Sequence, residues 1–89
     1  MTSAHDSQSL YAAVHAYICN NFLVRDAAAL TADTSLLDAG IVDSTGYLEV
    51  FQWLKDEYGV DVHETEMGPD NFETVGLIAA FLQRKLGAS

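Results

Sequence analysis

Basic residues are scarce in this chain of 89 residues, where Lys and Arg number 4 against 13 Asp and Glu, a formal net charge of −9. That deficit excludes nucleic acid and anionic membrane as partners, because phosphates would be repelled rather than neutralised. Basic protein surfaces, or simple solubility, remain as uses for the charge. Cysteine is reduced to Cys19, so no internal disulfide forms and a reducing compartment is natural. Long apolar runs are absent too: the longest, Val75 to Leu82, contains Gly76 and is far too short to span a bilayer. The polar stretch Met1 to Gln8 has no basic or apolar region and does not read as a signal peptide. Together these shortages imply a soluble, cytoplasmic protein. The length fits one small domain, which buries about 60–65% of its unfolded surface and leaves little room for a catalytic cleft. Hydrophobic residues are plentiful, at 49%, which excludes compositional disorder.

Helical periodicity organises what is present. Residues 1–6 read as a loose tail, and a domain follows over 7–87. From about Ser7 to Phe22, Leu10, Val14, Tyr17 and Ile18 share one face, with Ser7 or Ser9 as a cap and Asn20-Asn21 as a stop. Ala27-Ala28-Ala29 tolerates a helical turn. Thr31 to Asp43 is loop chemistry, interrupted by Leu36, Leu37, Ile41 and Val42, which pin it to the core. The clearest segment runs from about Ser44 to Tyr58. There Tyr47, Val50, Phe51, Leu54 and Tyr58 form one stripe, Thr45, Glu49, Gln52 and Asp56 line the opposite face, and Gly59 stops the helix. Gly68-Pro69 breaks the next stretch, leaving room for a short turn of helix near Glu64–Met67, with Met67 and Phe72 packing the loop onto the core. A last helix, about Thr74 to Leu86, carries Val75, Ile78, Ala79, Leu82 and Leu86 on one stripe, with Arg84 and Lys85 in its final turn. With no repeat and no strand alternation, the pattern predicts an all-α fold, a small bundle of three main helices and one short one.

Chemistry concentrates in Gly40-Ile-Val-Asp-Ser-Thr-Gly46, which delivers the Ser44 hydroxyl to a helix amino terminus. Unpartnered N–H groups and the macrodipole favour an anion there. Gly46 costs that helix about 1 kcal/mol relative to alanine, a cost easier to understand if something approaches the backbone closely. The plain alternative is that Asp43 or Ser44 merely caps the helix. A serine hydrolase is disfavoured, since no G-x-S-x-G elbow exists and His5, His15 and His63 suggest no activating base. Val42-Asp-Ser-Thr-Gly46 is not an aspartic-protease loop, which needs paired carboxylates on a β-rich scaffold. Cys19 has no second thiol or nearby histidine to build a metal site, and His63-Glu64-Thr-Glu66 lacks a closed ligand set. No catalytic or metal residues are assigned.

Three stretches carry a resemblance: Ser35-Leu-Leu-Asp-Ala-Gly-Ile-Val-Asp-Ser44, Leu54-Lys-Asp-Glu-Tyr-Gly-Val60 and Pro69-Asp-Asn-Phe-Glu-Thr-Val75 with the final helix. The chain resembles the acyl carrier protein family, which includes peptidyl and aminoacyl carriers. The resemblance implies a four-helix bundle of acyl carrier protein type and 4′-phosphopantetheine attached to Ser44 through a phosphodiester. The thiol of that arm would hold an acyl or aminoacyl thioester, and its chemistry would belong to the cofactor. Asp43 would cap the helix or help a transferase recognise the loop. The implied partners are a phosphopantetheinyl transferase, an adenylating ligase or acyltransferase, and downstream acceptor enzymes with basic surfaces, all served by a monomer.

Those partners would meet the exposed face after Ser44: Thr45, Leu48, Glu49, Gln52 and Asp56, extended by Glu57. The plain alternative for each acid is an ordinary solvated residue, with the two readings even for Glu57; for Leu48 it is a peripheral core position, and Trp53 either packs on the long loop or faces a partner. The chain departs from the commonest pattern, G-x-D-S-L. Two residues separate Gly40 from Asp43, Thr45 replaces Leu, and Lys55 stands where fatty-acid carriers are usually acidic. The form G-x-x-D-S-x-G is similar to discrete carriers charged by adenylating ligases, which favours natural-product biosynthesis. A fatty-acid or polyketide carrier, or an unmodified acidic interaction domain, is the alternative.

Overall fold

Leu10, Val14 and Ile18 recur at four-residue intervals, and they form the buried seam by which the first helix, α1 (Ser7–Asn21), packs along the last, α4 (Val75–Gly87). The computed structural model describes residues 7–87. Between these helices lie α2 (Ser44–Tyr58) and the four-residue α3 (Pro69–Phe72), and single 3-10 turns occupy Ala27–Ala29 and Glu64–Glu66. No strand occurs among the described residues. The bundle is therefore all-α, with three main helices and one short one, and its radius of gyration of 12.3 Å suits one compact domain of this length. The expected tail, residues 1–6, lies outside the described residues.

The long α1–α2 connection is held down along its second half. Leu30, Leu36 and Val42 are buried in the core, as the apolar interruptions of that loop predict for Leu36 and Val42, whereas Leu37 is exposed. From α1, the His15 ring meets the Leu30 and Ala27 carbonyls through Nε2, at 2.9 and 3.2 Å. The Leu36 amide donates to the Glu73 carbonyl at 2.9 Å, which ties the loop to the end of α3. Gly59 ends α2 in the left-handed region, φ 69°, a conformation costly for any side chain with a Cβ.

Several sequence expectations shift. Ser7 and Ser9 both lie inside α1 rather than ahead of it. The short α-helix falls at Pro69–Phe72, after the expected Glu64–Met67 region, which holds only a 3-10 turn. Pro69 opens that helix because its missing N–H would go unpaired at the first helical position anyway. Phe72 is buried as expected, but Met67 is not: it is 39% exposed at the rim of a groove. Phe81 falls outside the single stripe read for the last helix, yet it is buried, because Phe72 of α3 packs on it at a ring separation of 5.0 Å. Trp53 neither covers the long loop nor faces outward. It stacks on Tyr17 of α1 at 4.2 Å and meets the Tyr58 edge at 5.6 Å. Cys19 does have a histidine neighbour, since its Sγ lies 3.8 Å from His15 Nδ1, one helical turn away. Among the described residues no group of three or more metal-binding side chains forms, and no helix is long and apolar enough to cross a membrane.

Candidate functional site

The buried Val42 side chain anchors the end of the long loop and sets the register at which α2 begins. Asp43 follows in extended conformation, φ −100° and ψ −176°, and is the N-cap. Its Oδ1 accepts the Gly46 amide at 2.7 Å, and its carbonyl accepts the Tyr47 amide at 3.0 Å. Ser44 is thus the first residue of the helix and not its cap. Its side chain is exposed, and its hydroxyl has no hydrogen-bond partner among the described residues.

Gly46 is buried in the first turn. A Cβ there would stand 2.8 Å from Phe22 Cε1 and 3.1 Å from Val42 Cγ1. The close approach that the glycine permits is therefore made by a ring at the end of α1, and no ligand is needed to explain it. Phe22 thereby packs against the first turn of α2.

On the α3 side, a groove of about 300 Å³ opens next to Ser44. Leu37 and Asp38 of the loop, Tyr47 of α2, and Met67, Phe72 and Glu73 contribute to its walls. Tyr47 donates its hydroxyl to the Phe72 carbonyl at 2.7 Å. Burial pushes the Tyr47 phenol above its ordinary pKa, and the Glu73 carboxylate adds to the effect, so the donor stays protonated.

The opposite face of α2 is open. Thr45, Leu48, Glu49, Gln52 and Asp56 are all exposed, as is Glu57. Leu48 is 63% exposed, which removes it from the core periphery and leaves an apolar side chain in water among acids. Gln52 donates to Asp56 Oδ1 at 2.9 Å along this face. Lys55, the cation that breaks the acidic pattern, reaches Asp61 beyond the helix at 3.4 Å. The five residues expected to form one surface are brought together. The groove residues Leu37, Tyr47 and Met67 were not anticipated as site residues. For Leu37 the available signal was a leucine placed in loop chemistry.

Comparison with known proteins shows the family. The family model described as "Phosphopantetheine attachment site" matches residues 13–82. The chain is also 32% identical over 68 residues to the "Probable acyl carrier protein PigG" of Serratia sp. (strain ATCC 39006), covering 76% of this chain and 78% of that protein. The chain belongs to the phosphopantetheine-binding acyl carrier protein family. It is a carrier and not a catalyst, 4′-phosphopantetheine is its covalent cofactor, and it works with a phosphopantetheinyl transferase and partner biosynthetic enzymes.

Proposed function

We propose that Ser44 Oγ bears the phosphopantetheine arm as a phosphodiester, and that the arm's thiol carries an acyl or aminoacyl thioester between enzymes. The carrying observation is the division of labour at the start of α2: Asp43 takes the capping role, and the next hydroxyl is left exposed and unpartnered. The group fits that position. It would leave Oγ toward solvent beside the groove, with no hydrogen bond to break first. The positive end of the helix favours the phosphodiester, in competition with the Asp43 carboxylate already using it.

The exposed face of Thr45, Leu48, Glu49, Gln52 and Asp56 is the docking surface in this reading. The acids steer partner enzymes with basic surfaces, and Leu48 supplies the apolar contact. The partners are an adenylating ligase or acyltransferase and an acceptor enzyme, met by a monomeric carrier domain over residues 7–87 in the cytoplasm. The G-x-x-D-S-x-G spacing supports a discrete carrier of natural-product biosynthesis.

Co-expression with a broad-specificity phosphopantetheinyl transferase, followed by intact-mass measurement, tests the attachment. Wild type and Thr45→Ala gain the mass of one arm, and Ser44→Ala does not. If wild type gains no mass under conditions that modify another carrier, the assignment fails.

A further inference from the structure

The interior of the bundle behind Ser44 is walled by aromatic rings. Tyr47 follows Ser44 by three residues on the α3 side of α2, and its ring lies 6.3 Å from Phe51. Phe51 meets Phe72 of α3 edge-on at 4.9 Å, and Phe72 packs on Phe81 of α4 at 5.0 Å. Phe72 and Phe81 are buried to 2% and 1% exposure, so this wall runs from the groove into the core. Tyr47 and Phe72 both line the groove, and the 2.7 Å bond from the Tyr47 hydroxyl to the Phe72 carbonyl joins them.

An alkyl chain tethered near Ser44 is drawn toward any apolar interior it can reach. Entry between α2 and α3 would part Tyr47 from Phe72, leave that carbonyl without its donor, and push rings out of a close-packed core. The groove outside the wall has mixed chemistry, with Asp38, Glu73 and the Tyr47 hydroxyl beside Leu37 and Met67. It suits a short or polar group lying on the surface.

We propose that Tyr47 is a specificity-determining residue: bonded to Phe72, it bars the interior to alkyl chains and leaves the cargo outside the core, an arrangement that suits short or polar acyl groups held in the surface groove. This rests on Ser44 bearing the arm.

The test loads the apo protein with acetyl- or octanoyl-phosphopantetheine, using the transferase and the corresponding acyl-coenzyme A, and checks each product by intact mass. Absence of the mass gain overturns the Ser44 reading itself, and this proposal with it. Once loading is confirmed, Tm, thioester cleavage by hydroxylamine, and the amide chemical shifts of Val50, Ile78 and Leu82 are compared between the two forms. In wild type, the two forms melt within about 1 °C of each other and the core shifts coincide. In Tyr47→Leu, which keeps an apolar helix former and removes both ring and hydroxyl, the octanoyl form melts about 5 °C above the acetyl form. Its thioester is also cleaved about threefold more slowly. A wild-type octanoyl form that is already stabilised, with displaced core shifts, overturns the proposal, as does a folded Tyr47→Leu protein indifferent to chain length. The wild-type comparison needs no variant, so it can overturn the proposal even if Tyr47→Leu does not fold.

Discussion

The Asp43 carboxylate takes the Gly46 amide at 2.7 Å, and this bond determines what the neighbouring serine is free to do. Both residues are good caps by type, but only one can stand at the N-cap of α2. Replacing Asp43 with Ala should therefore cost about 1 kcal/mol. Replacing Ser44 with Ala should stay within about 0.5 kcal/mol of wild type. Urea denaturation of the unmodified proteins measures both, and the reverse order would make Ser44 the cap.

Gly46 should resist the substitution that helix propensity recommends. Alanine would favour the helix by about 1 kcal/mol. Its Cβ would stand 2.8 Å from the Phe22 ring and 3.1 Å from the buried Val42, and such overpacking typically costs about 1–3 kcal/mol. The expected result is a net loss of stability for Gly46→Ala. In a Phe22→Ala background the same change should cost less or become favourable, and a double-mutant cycle gives the coupling.

Acid should loosen the hold of the Glu64–Glu66 turn on α4. Glu66 accepts the His63 amide at 3.0 Å and pairs with Lys85 of α4 at 2.9 Å. The His63 amide is the larger cause, followed by Lys85, of a carboxyl pKa below its ordinary value of 4.5. The folded state therefore binds this proton less readily than the unfolded chain does. The stabilisation is complete above the ordinary carboxylate range and is lost as pH falls through the depressed folded value. Urea midpoints measured from about pH 6 down to about pH 3 should fall more steeply for wild type than for Glu66→Gln. Parallel curves would remove Glu66 from the acid response.

Partner loading should separate charge from apolar contact. Glu49→Lys should lower kcat/KM for loading by about tenfold at low salt while leaving the fold intact, since the residue is exposed. The gap should narrow as ionic strength rises and the Debye length falls to about 3 Å. Leu48→Ala should lower loading by a factor that salt changes little, because no charge is removed. Salt-independent loss in Glu49→Lys would dismiss the steering role.

Much of the site was legible because α2 is long and amphipathic. Its buried Val50 and Leu54 and its open acidic face follow from one 3.6-residue period, and Gly59 marks its end. The four-residue α3 was not legible, because a single turn contains no period and Pro69 reads equally as a break or a start. Phe81 was missed because α4 has two buried faces, one toward α1 and one toward α3, while a single stripe accounts for only one.

By itself, the sequence determined the helical class, the family, the acidic surface and the delivery of Asp43-Ser44 to a helix start. These depend on residue type and spacing along the chain, and spacing survives without knowledge of what packs on what. Only the tertiary structure decided which of the two residues caps α2, why Gly46 has no side chain, and that the Tyr47 hydroxyl bonds to the Phe72 carbonyl. The first depends on how buried Val42 seats the loop, and the other two on atoms delivered from distant segments: the Phe22 ring from the end of α1 and the Phe72 carbonyl on α3. Contacts of that kind leave no periodic trace along the chain.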